Sequence, residues 1–152
     1  MKRPDQIKNA PDQGLGERVP PGQFLTNKFP VLTYGDTPKI DIGSWKMRIF
    51  GLVTREVELD WEQFSTLTQT TVTVDFHCVT QWSALDNTWE GVSFADLAAL
   101  AQPTPQARFV MAHCFGGYST NLPLEMAMEE GLLAHKQEGV ELEEGHGWPL
   151  RL

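Results

Sequence analysis

Cys78 stands in the stretch Asp75-Phe76-His77-Cys78-Val79-Thr80-Gln81-Trp82-Ser83, where an apolar alternation (Val72, Val74, Phe76) delivers a thiol into a polar, aromatic turn. A thiol at a strand end is held rigidly and still reaches a cleft, which suits a nucleophile or a soft-metal ligand. Two His-Cys pairs, His77-Cys78 and His113-Cys114, bring zinc to mind. Neighbours on a strand point to opposite faces, and structural zinc ligands sit roughly two to four residues apart, so the spacing argues against it. A Cys-His nucleophile with His77, His113 or His146 as base is another arrangement, although spacing alone brings none of them to Cys78. Either thiol also has a plainer reading as a small buried apolar residue, Cys114 more so because it follows Val110-Met111-Ala112.

Other residues invite weaker readings. Of five tryptophans, Trp82 follows Cys78 most closely and is the one expected to line a cleft. Asn27 and Lys28 lie in an extended loop, and His146 and Arg151 flank a Gly-Trp-Pro turn; by themselves these read as surface residues. Glu141, Glu143 and Glu144 read as a solvated loop face.

The elements that must position these groups are short. Trp45–Phe50 alternates apolar and basic, the period of a half-buried strand, and Val57-Glu58-Leu59 forms a second. Asp60 is placed to cap a short helix through Trp61, Phe64 and Leu67. Val72–Phe76 is the strand leading to Cys78, and Trp89–Val92 is another. Ser93 caps a helix over Phe94–Ala101, ended by Pro103 and Pro105. Arg108–His113 and Tyr118–Leu122 are strands about a Gly116-Gly117 turn. Pro123 and Gly131 bracket a helix over 123–130, and strand character resumes at Leu132–His135. Many short strands with few helices and no strand-helix alternation predict an α+β fold with a mostly antiparallel or mixed β-sheet.

The 152 residues suit one ordered domain, read as 21–152 behind a polar, mobile leader over 1–20. The chain stops at Leu152 as a strand begins, so the domain is expected to be truncated at its C-terminus. A net charge of −8 argues against nucleic acid as a partner. No run of roughly 18 apolar residues is present to span a membrane. Two cysteines and a polar N-terminus point to a reducing, cytoplasmic setting rather than a disulfide scaffold.

Four segments in order resemble the molybdopterin-binding domain of the sulfite oxidase family, most of all its small haem-free bacterial members. They are Phe24–Val31, Asp75–Ser83, Gly116–Leu124 and His146–Arg151. The resemblance implies that fold and a mononuclear molybdenum cofactor. It implies that the Cys78 thiolate is the catalytic metal ligand, a soft sulfur donor suited to a high-valent metal that transfers oxygen atoms. Asn27-Lys28, followed by Phe29, is similar to a pterin-binding Asn-His loop, with lysine in place of histidine. Cys114 falls where relatives place a small residue against the cofactor. His146 and Arg151 keep the five-residue spacing of a His-Gly-x-Pro-x-Arg motif that holds the pterin and its phosphate, and Trp82 walls the substrate pocket.

Two departures refine the expectation. The uncharged Val79–Ser83 replaces the arginine-rich stretch that follows the cysteine in sulfite oxidases proper, so sulfite is not the expected substrate. Relatives also continue past Arg151 with more strand and a basic segment. The function expected is oxygen-atom transfer on a small-molecule substrate with an external electron-transfer partner. The alternative is a cofactor-free, non-catalytic binding or scaffold domain that keeps the fold.

Overall fold

In the computed structural model, which describes residues 18–33 and 35–152, the main sheet is built around one long strand. Strand β5 (Trp82–Ser93) has antiparallel β4 (Thr70–Cys78) along one edge. Its other edge is shared: β1 (Phe24–Leu25) runs parallel beside Trp82 and Ser83, and β8 (Leu132–Gln137) runs antiparallel beside Trp89–Ser93. The short β9 (Val140–Glu141) extends the sheet beyond β8. Two separate ribbons, β2 (Lys46–Ile49) with β3 (Val57–Asp60) and β6 (Phe109–His113) with β7 (Ser119–Pro123), complete the strands. The fold is α+β with a mixed sheet, as expected.

Local chemistry sets the helix starts. Asp60 Oδ1 accepts from the Gln63 backbone N–H at 2.8 Å while Gln63 Oε1 accepts from the Asp60 N–H at 2.9 Å, a reciprocal cap on α1 (Trp61–Ser65). Ser93 Oγ accepts from the Asp96 N–H at 3.1 Å at the start of α2 (Phe94–Ala101). The third helix, α3, runs Leu124–Glu130 and starts one residue later than predicted, because Pro123 remains in the β7 ladder.

Two hydrophobic clusters follow. Trp45, Phe64, Val92 and Leu97 are buried between the β2–β3 ribbon, α1, α2 and β5. Trp89, Ala134 and Leu142 are buried in a second cluster that takes in Phe29, Val72, Phe76 and Trp148. This second core extends directly into the candidate site.

Two details correct the sequence reading. Strand β5 begins at Trp82 and not near Trp89, so Trp82 is a buried strand residue rather than part of a turn. Cys114 is exposed, not a core residue. The expected leader falls outside the described residues over 1–17. Arg18, in its last part, pairs with Asp75 through Nε at 3.0 Å and Nη2 at 2.6 Å, and with Asp86 at 2.6 Å. That clamp, with the Asp86 backbone N–H on Asp75 Oδ1, holds the Asp75 carboxyl down to about 2. Among the described residues no helix is long and apolar enough to cross a membrane.

Candidate functional site

Cys78 is the last residue of β4 and pairs with Trp82 across a tight turn, Val79-Thr80-Gln81. The Gln81 N–H donates to the Cys78 carbonyl at 2.9 Å, and Gln81 takes φ 70, the left-handed residue that a three-residue hairpin loop uses. Phe76 and Cys78 share one face of the strand, with Ala84 and Trp82 opposite them; His77 and Ser83 take the other face. Cys78 Sγ lies 3.1 Å from Thr80 Oγ1 and is half-buried.

Phe29, from the segment after β1, sits at the centre of an aromatic group. Its ring meets Phe76 at 4.8 Å, Trp82 at 5.2 Å, Trp89 at 5.6 Å and His146 at 5.6 Å, all edge to face. Phe76 and Trp82 stack at 5.4 Å and 18°. The Trp82 Nε1–H is buried, and among the described residues no hydrogen-bond partner meets it.

The C-terminal turn completes the site. A 3-10 turn over Glu144–His146 ends at Gly147, whose φ of 102° an L side chain rarely adopts. His146 Nε2 lies 3.0 Å from the Phe29 carbonyl; since a carbonyl only accepts, that nitrogen carries the hydrogen. Arg151 is fixed by two backbone bonds to Ala134 at 2.8 and 2.9 Å. Its guanidinium lies over Trp89 at 5.3 Å and Phe29 at 5.8 Å, and Nη1 donates to the His146 carbonyl at 3.1 Å. Among the described residues no carboxylate pairs with it, and burial lowers its pKa.

These groups converge on a cavity of about 80 Å³ in which Cys78, Trp82, His146 and Arg151 meet Phe29 and Phe76. On the other side of Phe29 an open groove of about 460 Å³ runs past Asn27, Lys28, Asp86, Asn87 and Glu138. The structure thus gathers Phe29, Cys78, Trp82, His146 and Arg151 and sets Asn27 and Lys28 on the adjoining groove, while Cys114 lines neither. Sequence reasoning missed Phe76 as a lining residue, although its position two residues before Cys78 carries the signal. Among the described residues no three His, Cys, Asp or Glu side chains group to hold a metal ion, so a metal at Cys78 must bring most of its donors with it.

A sequence model of the oxidoreductase molybdopterin binding domain family matches residues 34–152. The chain is 41% identical over 136 residues to YuiH, an uncharacterized oxidoreductase of Bacillus subtilis, covering 88% of this chain and 69% of that protein. It is 29% identical over 160 residues to the NADPH nitrate reductase of Emericella nidulans, covering 84% of this chain but only 18% of that much longer protein. In three dimensions it superposes on the sulfane dehydrogenase SoxCD from Paracoccus pantotrophus with a TM-score of 0.67 at 21% identity, over 76% of this chain and 34% of the other, a likeness of fold.

Proposed function

Because the chain belongs to the oxidoreductase molybdopterin binding domain family, whose cofactor is molybdopterin, we propose that it carries out oxygen-atom transfer on a small substrate with the Cys78 thiolate as the metal's protein ligand. The observation that carries this reading is one half-buried thiol sharing a small cavity with a guanidinium that no carboxylate among the described residues neutralises.

The residues fit the group. When bound, the molybdenum-pterin supplies a high-valent metal that exchanges an oxygen atom and two electrons with substrate. Cys78 offers one anionic sulfur, and the other donors are those of the pterin dithiolene, consistent with the lack of a protein ligand cluster. Arg151 presents a planar fork for the pterin phosphate; one nitrogen is engaged by the His146 carbonyl, and among the described residues no carboxylate competes for the rest. His146, tied to Phe29, holds the phosphate end of the cavity. Asn27 and Lys28 supply donors along the groove, where about 460 Å³ suits a small-molecule ligand and about 80 Å³ beside the thiol does not hold one whole.

Once His146 and Arg151 hold the cofactor, the walls left near Cys78 are Trp82, Phe76, Pro30 and Leu32. Such walls carry no charge and favour an uncharged substrate over an oxyanion such as sulfite. The two electrons of each turnover are exchanged with a separate carrier.

Metal analysis with pterin fluorescence tests the reading: about one molybdenum per chain is expected from a host that makes the cofactor. Cys78→Ala should retain the fold and lose turnover, since a half-buried thiol at a cleft is not a packing residue. Protein made in a competent host without molybdenum, or an active Cys78→Ala, overturns it.

A further inference from the structure

Gln23 lies ahead of the segment that the family model matches, in the turn leading into β1. Its side-chain amide reaches the Cys78 hairpin from both ends. Nε2 donates to the Cys78 carbonyl at 3.3 Å, and Oε1 accepts from the Ser83 hydroxyl at 2.7 Å. The amide is assigned this way round because the reverse would set its oxygen against a carbonyl oxygen. Ser83 is completely buried, and its single hydrogen is spent on Gln23. Its lone pair therefore takes the hydrogen of His77 Nδ1, 2.9 Å away. The chain of bonds runs His77 to Ser83 to Gln23 to the Cys78 carbonyl, with one hydrogen in each link.

That carbonyl also accepts from the Gln81 N–H at 2.9 Å, so both its lone pairs are occupied and the peptide plane after Cys78 is fixed. The backbone of the Gln23 segment is pinned to the same hairpin. Phe24 N donates to the Gln81 carbonyl at 3.0 Å and Thr26 N to the Ser83 carbonyl at 2.9 Å. The direction of a Cβ follows from its own backbone, so the peptide plane that Gln23 holds aims the thiol. We propose that Gln23 is a positioning residue for Cys78, its amide holding the strand end that points the sulfur into the cavity. This rests on the reading of Cys78 as the metal's protein ligand.

Two variants separate positioning from plain structural support. Gln23→Ala removes both bonds. Gln23→Glu keeps the acceptor that satisfies Ser83 and replaces the donor to Cys78 by an oxygen that the carbonyl repels. In cofactor-free protein, alkylation of Cys78 by iodoacetamide is followed by mass spectrometry, with exposed Cys114 as the internal reference. Gln23→Ala should raise the Cys78-to-Cys114 rate ratio about fivefold, the factor that one lost hydrogen bond to the Cys78 carbonyl supplies, and Gln23→Glu should also move the ratio from that of the unaltered protein. In molybdenum-loaded protein both should change the electron paramagnetic resonance spectrum of the metal. Both should also lower kcat roughly 10- to 100-fold while KM stays within about twofold. Gln23→Glu with the thiol reactivity and spectrum of the unaltered protein overturns the proposal, and if Gln23→Ala does not fold, Gln23→Glu alone carries the comparison. Failure of the ligand reading shows separately, as turnover retained in Cys78→Ala, whereas the cofactor-free alkylation reads the Gln23–Cys78 contact by itself.

Discussion

His146 donates its Nε2 hydrogen to the carbonyl of Phe29 at 3.0 Å, and the two rings meet edge to face at 5.6 Å. One contact thereby joins the segment after β1 to the C-terminal turn and closes the cavity beside Cys78. The bond uses the Phe29 backbone, so it survives any change of side chain there. The ring does separate work, since Phe76, Trp82, Trp89 and Arg151 all pack against it.

Phe29→Ala should therefore loosen the aromatic group without freeing His146. A fully buried Phe→Ala costs about 3–5 kcal/mol, and for this half-buried ring about 2 kcal/mol is expected. Thermal unfolding should show a fall in Tm of roughly 5 °C. Molybdenum content should drop as well. A variant that kept both Tm and metal would show that the ring is not the centre of the site.

Gly147 and Gly145 make a matched pair. At Gly147 a Cβ would lie 3.0 Å from Arg151 Cβ on a backbone with φ 102°, so Gly147→Ala must strain the turn and push on Arg151. The expected cost is about 1–3 kcal/mol, with loss of cofactor. At Gly145 a Cβ would lie 3.2 Å from Cγ1 of the exposed Val31, and the backbone is ordinary. Gly145→Ala should be the milder change in a denaturant titration; the reverse order would contradict this account of the turn.

Much of this arrangement is legible in the sequence because local rules decide it. The Ser93 cap predicts α2 to the residue, and the alternation before Cys78 predicts its strand. Strand β5 is legible only near its end. Its first half holds buried Ser83 and Asn87 and an irregularity opposite Asp75, where Asp86 turns to φ 56, so the two-residue period breaks. Those polar residues are satisfied by partners far along the chain: Ser83 by Gln23, and the Asp75–Asp86 pair by Arg18. A parallel pairing such as that of β1 with β5 leaves no local mark either. The candidate site divides the same way. Cys78, His146 and Arg151 are visible as types in a pattern, whereas the residues that aim them are visible only once the chain has folded.

Arg151 tests whether the site is built for an anion. Burying a guanidinium without a counter-charge costs several kcal/mol, and stacking on Trp89 and Phe29 returns about 1 kcal/mol. Arg151→Met should leave the cofactor-free protein at least as stable in a urea titration. The same change should weaken cofactor retention about 10- to 100-fold, the worth of hydrogen bonds to a charged group. Arg151→Lys, which keeps the charge and loses the fork, should fall between. Normal molybdenum loading of Arg151→Met would remove the phosphate role.

His135 sets a pH dependence away from the cavity. It is packed against Trp61 at 5.9 Å, and its Nε2 hydrogen goes to Gln69 Oε1 at 3.0 Å. Burial, and then the neighbouring Lys136, push its pKa below the usual 6.5, while Glu90 and Glu141 act weakly the other way. The sign follows: as pH falls below about 6.5 the unfolded chain takes up the proton first, so stability is full above that value and declines beneath it. The decline from this one group cannot exceed about 1.4 kcal/mol per pH unit. Urea midpoints measured between pH 7.5 and 5.5 should fall for the unaltered protein, and fall less for His135→Gln. Parallel curves for the two proteins would show that His135 is not the group responsible.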